Sequence, residues 1–478
     1  MQTIQQQLQN HINAALQTLE IDIANVSPDA LRVVPTANAQ FGDYQWNGAL
    51  PLAKTTKQNP RVVAQSVIDN INVSELCNTP EIAGAGFVNF RVKTSFLETF
   101  THRVLEDARL GVPIVENPRT VVVDFSAPNV AKPLLVHHIR STVIGDAIQR
   151  LLRFAGHNVI TDNHIGDWGT QFGKIIIGWK NFLDKDALQR DPIEEMGRLY
   201  KLINAQADAD KAVEEQARAE TLKLQNGDAE NTAIWNRLRE LSQAQFDEMY
   251  ARLDVHFDHA LGESFYNSRL QNVIADLKAK GLARDSEGAV IVSFDAPPLQ
   301  ETPMLIQKSD GASLYGTTDL ATIQYRAQTF GADEILYVVD ARQSLHFQQV
   351  FAAARLWGHS STRFEHIAFG TVMGEDRKPF KTRSGGSITL KALLDEAETR
   401  ALEIVREKNP DLDEESQKNI ARVVGIGAIK YADLSGNRAS DYVFSWDKML
   451  ALQGNSADRK STRLNSSHST LSRMPSSA

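Results

Sequence analysis

Residues 120–147 read TVVVDFSAPNVAKPLLVHHIRSTVIGDA, and this stretch decides the fold. It opens with the apolar, β-branched run Val121–Val123, which predicts a buried strand of a parallel sheet. The pattern breaks at Ser126, Pro128 and Asn129 and becomes helical from about His138. A strand, a polar loop and a helix start present free backbone N–H groups and a positive helix dipole to an anion. Polar side chains crowd the same place: Lys132, His137, His138, Arg140 and Ser141.

The stretch therefore predicts a nucleotide phosphate site on a doubly wound sheet, although an ordinary βα unit with a polar loop would show the same local pattern. Two later segments repeat its organisation. Val159–Thr161 and Ile335–Val339 both predict buried strands, and each precedes a polar loop and a helical pattern. This βα alternation predicts an α/β fold with a Rossmann-like parallel sheet.

Composition restricts the class of protein. The chain has 478 residues, 42% hydrophobic and 23% charged, with a formal net charge of −8, so no basic domain predicts a nucleic-acid partner. The single cysteine, Cys77, excludes an internal disulfide framework and a multi-thiolate zinc site. No apolar run approaches membrane-spanning length, and the first residues lack a signal-peptide pattern. We therefore expect a cytoplasmic protein with no membrane partner and no zinc.

Changes in pattern along the chain predict its domain organisation. Residues 1–113 combine helical and strand patterns, and we expect a small α+β domain there. Residues 114–389 carry the βα alternation, with a charged helical insertion at about 182–300. From residue 390 to about 457 the pattern is helical at first and then polar and aromatic. Residues 458–478 are Ser-rich without periodicity and predict a tail foreign to the folded protein.

Polar residues follow each predicted strand. After the second strand, polar side chains converge on a Gly-rich loop: Asn163, His164, Asp167 and Gln171. We expect a helix to begin at Thr318 and Asp319, and Tyr315 and Asp319 lie on either side of its start. Residues 378–386, KPFKTRSGG, form a basic loop that closes over phosphates or is a solvated hairpin tip; the pattern alone allows both.

Several blocks together resemble the arginyl-tRNA synthetases of class I. The blocks are SAPNVAKP, HIRST, GDWGTQFG, YGTTDLAT, VVDARQSLHF, KPFKTRSGG, GIGAIKYADLS and NRASDYVF. Their order and spacing extend the resemblance from Phe41 to about Ala457. It implies ATP-dependent ligation of L-arginine to tRNA(Arg) through arginyl-adenylate, with Mg²⁺ accompanying ATP. It also implies a monomer, an N-terminal domain that contacts the tRNA elbow, and the start of a helical anticodon-binding domain at 390–457.

The resemblance assigns roles to individual residues. It implies catalytic roles for Lys132, His138, Lys381 and Arg383. It implies that arginine is bound by Asp124, Asn129, Tyr315, Asp319 and Gln343. It implies that ATP is bound by Ser126, Lys132, His138, Ser141, Gly166, Asp167, His346, Lys381 and Thr382. Without the resemblance, Asp319 would be interpreted as a helix N-cap and Tyr315 as a core residue.

The chain departs from the family at the signature His-x-Gly-His, which here is Leu135-Val136-His137-His138. Leucine cannot donate to a phosphate oxygen, and an imidazole at the glycine position is expected to intrude where adenine approaches the backbone. Three explanations are open: a local sequence error, a damaged copy, or a variant with another function. We also expect truncation after about Ala457, and with it weak tRNA binding and poor charging.

Two other functions remain open on the sequence. The first is a catalytically inactive synthetase-like protein that binds RNA or arginine, and the altered signature favours it. The second is a class I synthetase for another amino acid, against which Asp124, Tyr315 and Asp319 argue, because acidic and phenolic acceptors suit a guanidinium.

Overall fold

The structure is a computed structural model that describes residues 1–309, 311–374 and 388–446. The chain forms two compact units, the first spanning Met1–Glu116 and the second starting at Asn117. In the described ranges, no helix is both long and apolar enough to cross a membrane.

The first unit contains four helices and four strands among its described elements. In chain order they are α1 (Ile4–Thr18), β1 (Val33–Pro35), β2 (Tyr44–Trp46), α2 (Ala49–Thr56), α3 (Pro60–Asn70), β3 (Glu81–Ala83), β4 (Phe87–Phe90) and α4 (Thr94–Glu106). The strands form an antiparallel sheet in the order β1-β2-β4-β3. Helix α1 begins with a capping box between Thr3 and Gln6 and buries Leu8, Ile12 and Leu16.

The second unit begins with a βαβ segment and continues through a long helical region. Its first elements are β5 (Thr120–Asp124), α5 (Val136–Ala155), β6 (Asn158–Asp162), α6 (Gln171–Phe182), α7 (Lys185–Arg190), α8 (Pro192–Ala209), α9 (Lys211–Gln225) and α10 (Ala229–Arg252). Next come α11 (Glu263–Tyr266), α12 (Leu270–Ala279), β7 (Ala283–Ser286), β8 (Ala289–Val292), β9 (Met304–Gln307) and α13 (Tyr315–Thr329). The last are β10 (Glu334–Tyr337), α14 (Ser344–Trp357), β11 (Arg363–His366), β12 (Val372–Met373), α15 (Leu390–Lys408), α16 (Glu414–Leu434) and β13 (Tyr442–Val443).

A four-stranded parallel sheet is the centre of this unit, in the order β11-β10-β5-β6. Alternate residues of β5 point to opposite faces: Val121 and Val123 belong to the core under α5 and α10, whereas Val122 packs with α12, α13 and α14. Helices therefore cover both faces of the sheet, which explains the unbroken apolar run of β5. The α/β class expected from the sequence is confirmed.

Register places the ends of three strands side by side. Asp124, the last residue of β5, is opposite Asp162 in β6 and Tyr337 in β10. In open parallel sheets the crevice at the carboxyl ends of the strands is the usual position of a ligand site.

The helical pattern expected after residue 390 forms two helices, α15 and α16. Asn409 is the C-cap of α15, and Asp413 caps α16 by accepting a hydrogen bond from Ser416 N. The turn residues between them, Asn409 to Asp413, break the helix. Residues ahead of α15 pair with the segment before α5: Leu390 N donates to Leu134 O, and Val136 N donates to Ile388 O.

Candidate active site

The loop after β5 has an unusual backbone. Ser126, Ala127 and Ala131 have φ angles of 74°, 48° and 62°, a left-handed region that non-glycine residues rarely adopt. Hydrogen bonds hold this conformation: Ser126 N donates to Ser141 Oγ at 2.8 Å, and Ala127 N donates to Asn163 Oδ1 at 3.1 Å. Strained backbone fixed by such bonds is characteristic of functional loops.

The loops after β5 and β6 are joined to each other through Gly166. Its N–H donates to Pro128 O at 2.9 Å, and its carbonyl accepts from Val130 N at 3.0 Å. A Cβ at this position would lie 2.4 Å from Asn129 Oδ1. Glycine is therefore required here, because any side chain would displace Asn129.

These loops enclose a cavity of about 310 Å³ at the carboxyl ends of β5 and β10. All five residues predicted to bind arginine line it: Asp124, Asn129, Tyr315, Asp319 and Gln343. Gly166 and His346, predicted to bind ATP, line the same cavity. The structure therefore brings together residues that are far apart in the sequence.

Asp319 and His346 form an ion pair within this cavity, with Nε2 2.5 Å from Oδ2. Burial disfavours the charged imidazole, but the hydrogen bond and negative charge of Asp319 outweigh it and raise the pKa of His346. Helix α13 begins at Tyr315 with Leu314 as its N-cap, so the N-cap interpretation of Asp319 is wrong. Tyr315 is 71% exposed, so the core interpretation of that residue is also wrong.

Glu263 is a cavity residue that sequence reasoning missed. It begins the short helix α11, and its backbone N–H donates to Ile165 O. Burial raises the pKa of its carboxyl to about 7, aided by the nearby Asp167 and Asp319 and opposed by His164. No local sequence pattern distinguishes this glutamate from the others, because the α6–α10 region separates it from β6 in the chain.

The start of α5 carries the altered signature. His138 Nδ1 accepts the N–H of Leu135 at 2.9 Å and so caps the helix. Burial, with a smaller contribution from His137, lowers the pKa of His138 to about 3, so its ring is neutral at pH 7. The neutral tautomer in which Nδ1 accepts this bond carries its proton on Nε2, which can donate. The ring of His137 lies 4.1 Å from that of His138, centroid to centroid.

Three residues predicted to bind ATP have side chains that bond within the protein and do not line the cavity. Ser141 Oγ donates to Val338 O, and Ser126 Oγ lies 2.8 Å from Tyr250 OH. Asp167 is fully buried and accepts from Ser264 N and Oγ, and it also pairs with Arg239.

Of the basic residues predicted to be catalytic, the structure describes Lys132, which does not line the cavity. Lys132 is exposed, with Nζ 5.5 Å from the centre of the Tyr200 ring. Lys381, Thr382 and Arg383 lie outside the described residues. Ile388, the first described residue after them, is hydrogen-bonded beside the start of α5.

Arg140, which the sequence pattern grouped with the phosphate site, is buried away from it. Its Nε lies 2.7 Å from Asp433 Oδ1, and its Nη1 donates to Gly370 O at 2.6 Å. The guanidinium also lies over the Tyr442 ring. Arg140 therefore connects α5 to α16 and β13. That part of the prediction is wrong, because the helix turns this side chain toward the second unit's core.

The comparisons with known proteins agree with this geometry. The family model "tRNA synthetases class I (R), catalytic domain" matches residues 101–446, so the second unit contains the catalytic domain of a class I aminoacyl-tRNA synthetase. The model "Arginyl tRNA synthetase N terminal domain" matches residues 6–92. The chain belongs to the arginyl-tRNA synthetase family, which confirms the resemblance found in the sequence.

Individual relatives support the same assignment. An arginine–tRNA ligase from Marinomonas sp. (strain MWYL1) is 44% identical over 458 residues, covering 94% of this chain and 79% of that protein. The corresponding ligase from Klebsiella pneumoniae is 46% identical, covering 89% of this chain and 75% of that protein. The arginyl-tRNA synthetase structure from Plasmodium falciparum matches with a TM-score of 0.76 at 28% identity, over 99% of this chain and 82% of that one.

Proposed function

We propose that this chain activates L-arginine with ATP and transfers the arginyl group to tRNA(Arg). A carboxylate oxygen of arginine attacks the α-phosphorus, the bond to the bridging oxygen breaks, and arginyl-adenylate and pyrophosphate form. A ribose hydroxyl of the terminal adenosine then attacks the arginyl carbonyl, and AMP leaves. The observation that carries the proposal is the cavity lined by all five residues predicted to bind arginine. A cytoplasmic monomer is the expected working form.

Recognition of arginine requires acceptors for a planar, permanently charged guanidinium. We assign this role to Asp124, Asp319 and Tyr315, as the resemblance implies. We add Glu263, because it lines the same cavity. Asn129 and Gln343 then hold the α-amino and carboxylate end. Lysine offers a compact ammonium that leaves some of these acceptors unpaired, and unpaired buried acceptors are the strongest basis for rejection.

The ATP phosphates are proposed to lie at the start of α5, where the helix dipole and free N–H groups favour an anion. Neutral His138 donates from Nε2 to a phosphate oxygen. Ser126, Ser141 and Asp167 act here through the backbone and through packing, since their side chains already have partners. Lys132, Lys381, Thr382 and Arg383 are assigned to the phosphates by the resemblance alone, and Mg²⁺ arrives with ATP.

The altered signature is proposed to slow activation without removing arginine binding. Leu135 supplies backbone bonds at the N-cap but no side-chain donor. Loss of one transition-state donor costs about 10²–10³ in rate. His137 adds an imidazole next to His138, on the side where a glycine would leave space.

The test is ATP–pyrophosphate exchange with arginine in the presence and absence of tRNA(Arg). We compare the chain with a Leu135→His/His137→Gly variant and with His137→Gly alone. The double variant is expected to exchange about 10²-fold faster or more. Equal rates in all three proteins would refute the proposed defect, and absence of exchange in the double variant would refute the activation site.

One observation favours a second candidate, an arginine-binding relative without activity: all five residues predicted to bind arginine line one cavity while the signature is altered. That candidate predicts calorimetric binding of arginine but no exchange, with or without tRNA, even at high enzyme concentration. Measurable exchange by the unaltered chain excludes it.

A further inference from the structure

Two buried carboxylates lie next to each other beneath the cavity. Asp124 and Asp162 are direct neighbours in the parallel register of β5 and β6. Asp124 is 4% exposed and lines the cavity, whereas Asp162 is fully buried and accepts from Leu261 N through Oδ1. Like charges at this spacing repel strongly when water is excluded, and a counter-ion beside them stabilises the charged form of both.

Arg326 supplies that counter-ion from α13, two turns after Asp319. Its side chain is fully buried, and its Nη2 lies 2.7 Å from Asp124 Oδ2 and 2.8 Å from Asp162 Oδ2. The guanidinium also lies over the Tyr337 ring, 5.5 Å from its centre. Because arginine keeps its charge even when buried, this cation is permanent.

We propose that Arg326 is a positioning residue for substrate arginine: it holds one oxygen of Asp124 so that the other faces the cavity. The inference rests on the proposed binding of arginine in that cavity. Arg326 itself does not line the cavity, so it acts through Asp124 and not by contact with the ligand. It also limits the negative charge that the cavity presents, since a single cation is shared between two carboxylates.

Both carboxylates lie near the same atom of Arg326, Nη2, so their positions depend on the orientation of the guanidinium. Lysine at position 326 would keep the charge but lose the planar, fixed orientation of the donors. Asp124 would then be free to rotate toward the new ammonium. If Arg326 only stabilised the fold, Arg326→Lys would change the free energy of unfolding and leave the Kd for arginine unchanged.

The experiment measures arginine binding by calorimetry in a double-mutant cycle of Arg326→Lys and Asp124→Asn. Arg326→Lys is expected to raise the Kd for arginine about tenfold or more in the wild-type background. In the Asp124→Asn background it is expected to change the Kd less than about twofold, because the residue through which it acts has been altered. Equal effects in both backgrounds would overturn the proposal.

Arg252→Lys is the matched control, since Arg252 pairs with Asp395 and Glu398 away from the cavity. It is expected to leave the Kd unchanged. If Arg326→Lys does not fold, Asp162→Asn takes its place. Asn keeps an acceptor for Leu261 N. Asp124 is then the one carboxylate that pairs with Arg326, so the charge of Arg326 is no longer shared. That variant is expected to raise the Kd about threefold or more unless Asp124 is also Asn; an unchanged Kd would overturn the proposal. Absence of arginine binding in the unaltered chain would refute the proposed function instead.

Discussion

Asp319 Oδ2 lies 2.5 Å from His346 Nε2, and this pair joins α13 to α14 within the candidate arginine cavity. The pair fixes one oxygen of Asp319, and in the proposed function the other oxygen accepts from the guanidinium of arginine. Removal of the Asp319 charge should therefore weaken binding of a cationic ligand more than it lowers the free energy of unfolding.

Asp319→Asn is expected to raise the Kd for arginine about 10- to 100-fold, the usual value of a hydrogen bond to a charged group. The measurement is calorimetric titration with arginine. Asp276→Asn is the control, because Asp276 pairs with Trp357 and Lys280 outside the cavity. An unchanged Kd in Asp319→Asn would remove this residue from the proposed recognition of the guanidinium.

The same pair predicts a pH dependence of stability. The pKa of His346 is raised in the folded state, so its contribution is fully present below the unfolded pKa of about 6.5 and is lost as pH rises through the folded pKa. The difference in Tm between wild type and His346→Gln should therefore be larger at low pH than at high pH. A difference that is constant across the pH range would contradict the ion pair.

Glu263 predicts a pH dependence of binding. With a pKa of about 7, its carboxyl is largely protonated in mildly acidic solution. Binding of a cation favours the ionised form, so the Kd for arginine should rise by up to about tenfold per pH unit below 7. Calorimetry between acidic and basic pH tests this, and Glu263→Gln should remove most of the dependence. A wild-type Kd that does not vary with pH would argue against contact between Glu263 and the ligand.

Gly166→Ala should disturb the site with little effect on the fold. The new Cβ would meet Asn129 Oδ1 at 2.4 Å, and displacement of a positioning group by about 1 Å can cost 10²-fold in rate. Gly197→Ala is the matched control, because a Cβ there meets nothing within 4 Å. That control should be stabilised by about 0.5–1 kcal/mol, as expected inside a helix. Similar pyrophosphate exchange by both variants would disprove the close approach.

Arg140→Met should destabilise the protein by about 3–5 kcal/mol, since it leaves the buried Asp433 without its partner. Denaturant unfolding measures this loss. Arg237→Met is the control, because Arg237 pairs with Glu240 on the surface, where an ion pair contributes about 0–1 kcal/mol. Equal losses in the two variants would contradict the role of Arg140 in connecting α5 to α16.

Much of the fold could be predicted from local pattern. The apolar runs that became β5, β6 and β10 and the polar loops after them are properties of neighbouring residues, and hydrophobic periodicity detects them. The break between α15 and α16 was missed because the apolar pattern resumes after Asp413. Helix α13 begins three residues before Thr318 because Leu314 adopts an extended backbone as its N-cap.

The site could be predicted only in part, because much of it depends on distant contacts. Asn129, Asp319 and Gln343 lie in blocks that resemble a family, and all three line the cavity. Glu263 and Arg326 lie outside any strand-end loop and reach the site through tertiary packing. Asp167 and Arg140 illustrate the reverse: both are polar residues that the sequence placed at the nucleotide site, yet each is buried and paired within the protein.

Leu135 takes part in the fold chiefly through its main-chain atoms. Its N–H bonds to His138, its carbonyl accepts from the His138 N–H, and its neighbours pair with Ile388 and Leu390. None of these bonds uses the Leu135 side chain, so expression and solubility do not reveal whether that side chain affects activity. Under the proposed function, a chain of this sequence would accumulate as a folded protein that binds arginine and activates it slowly.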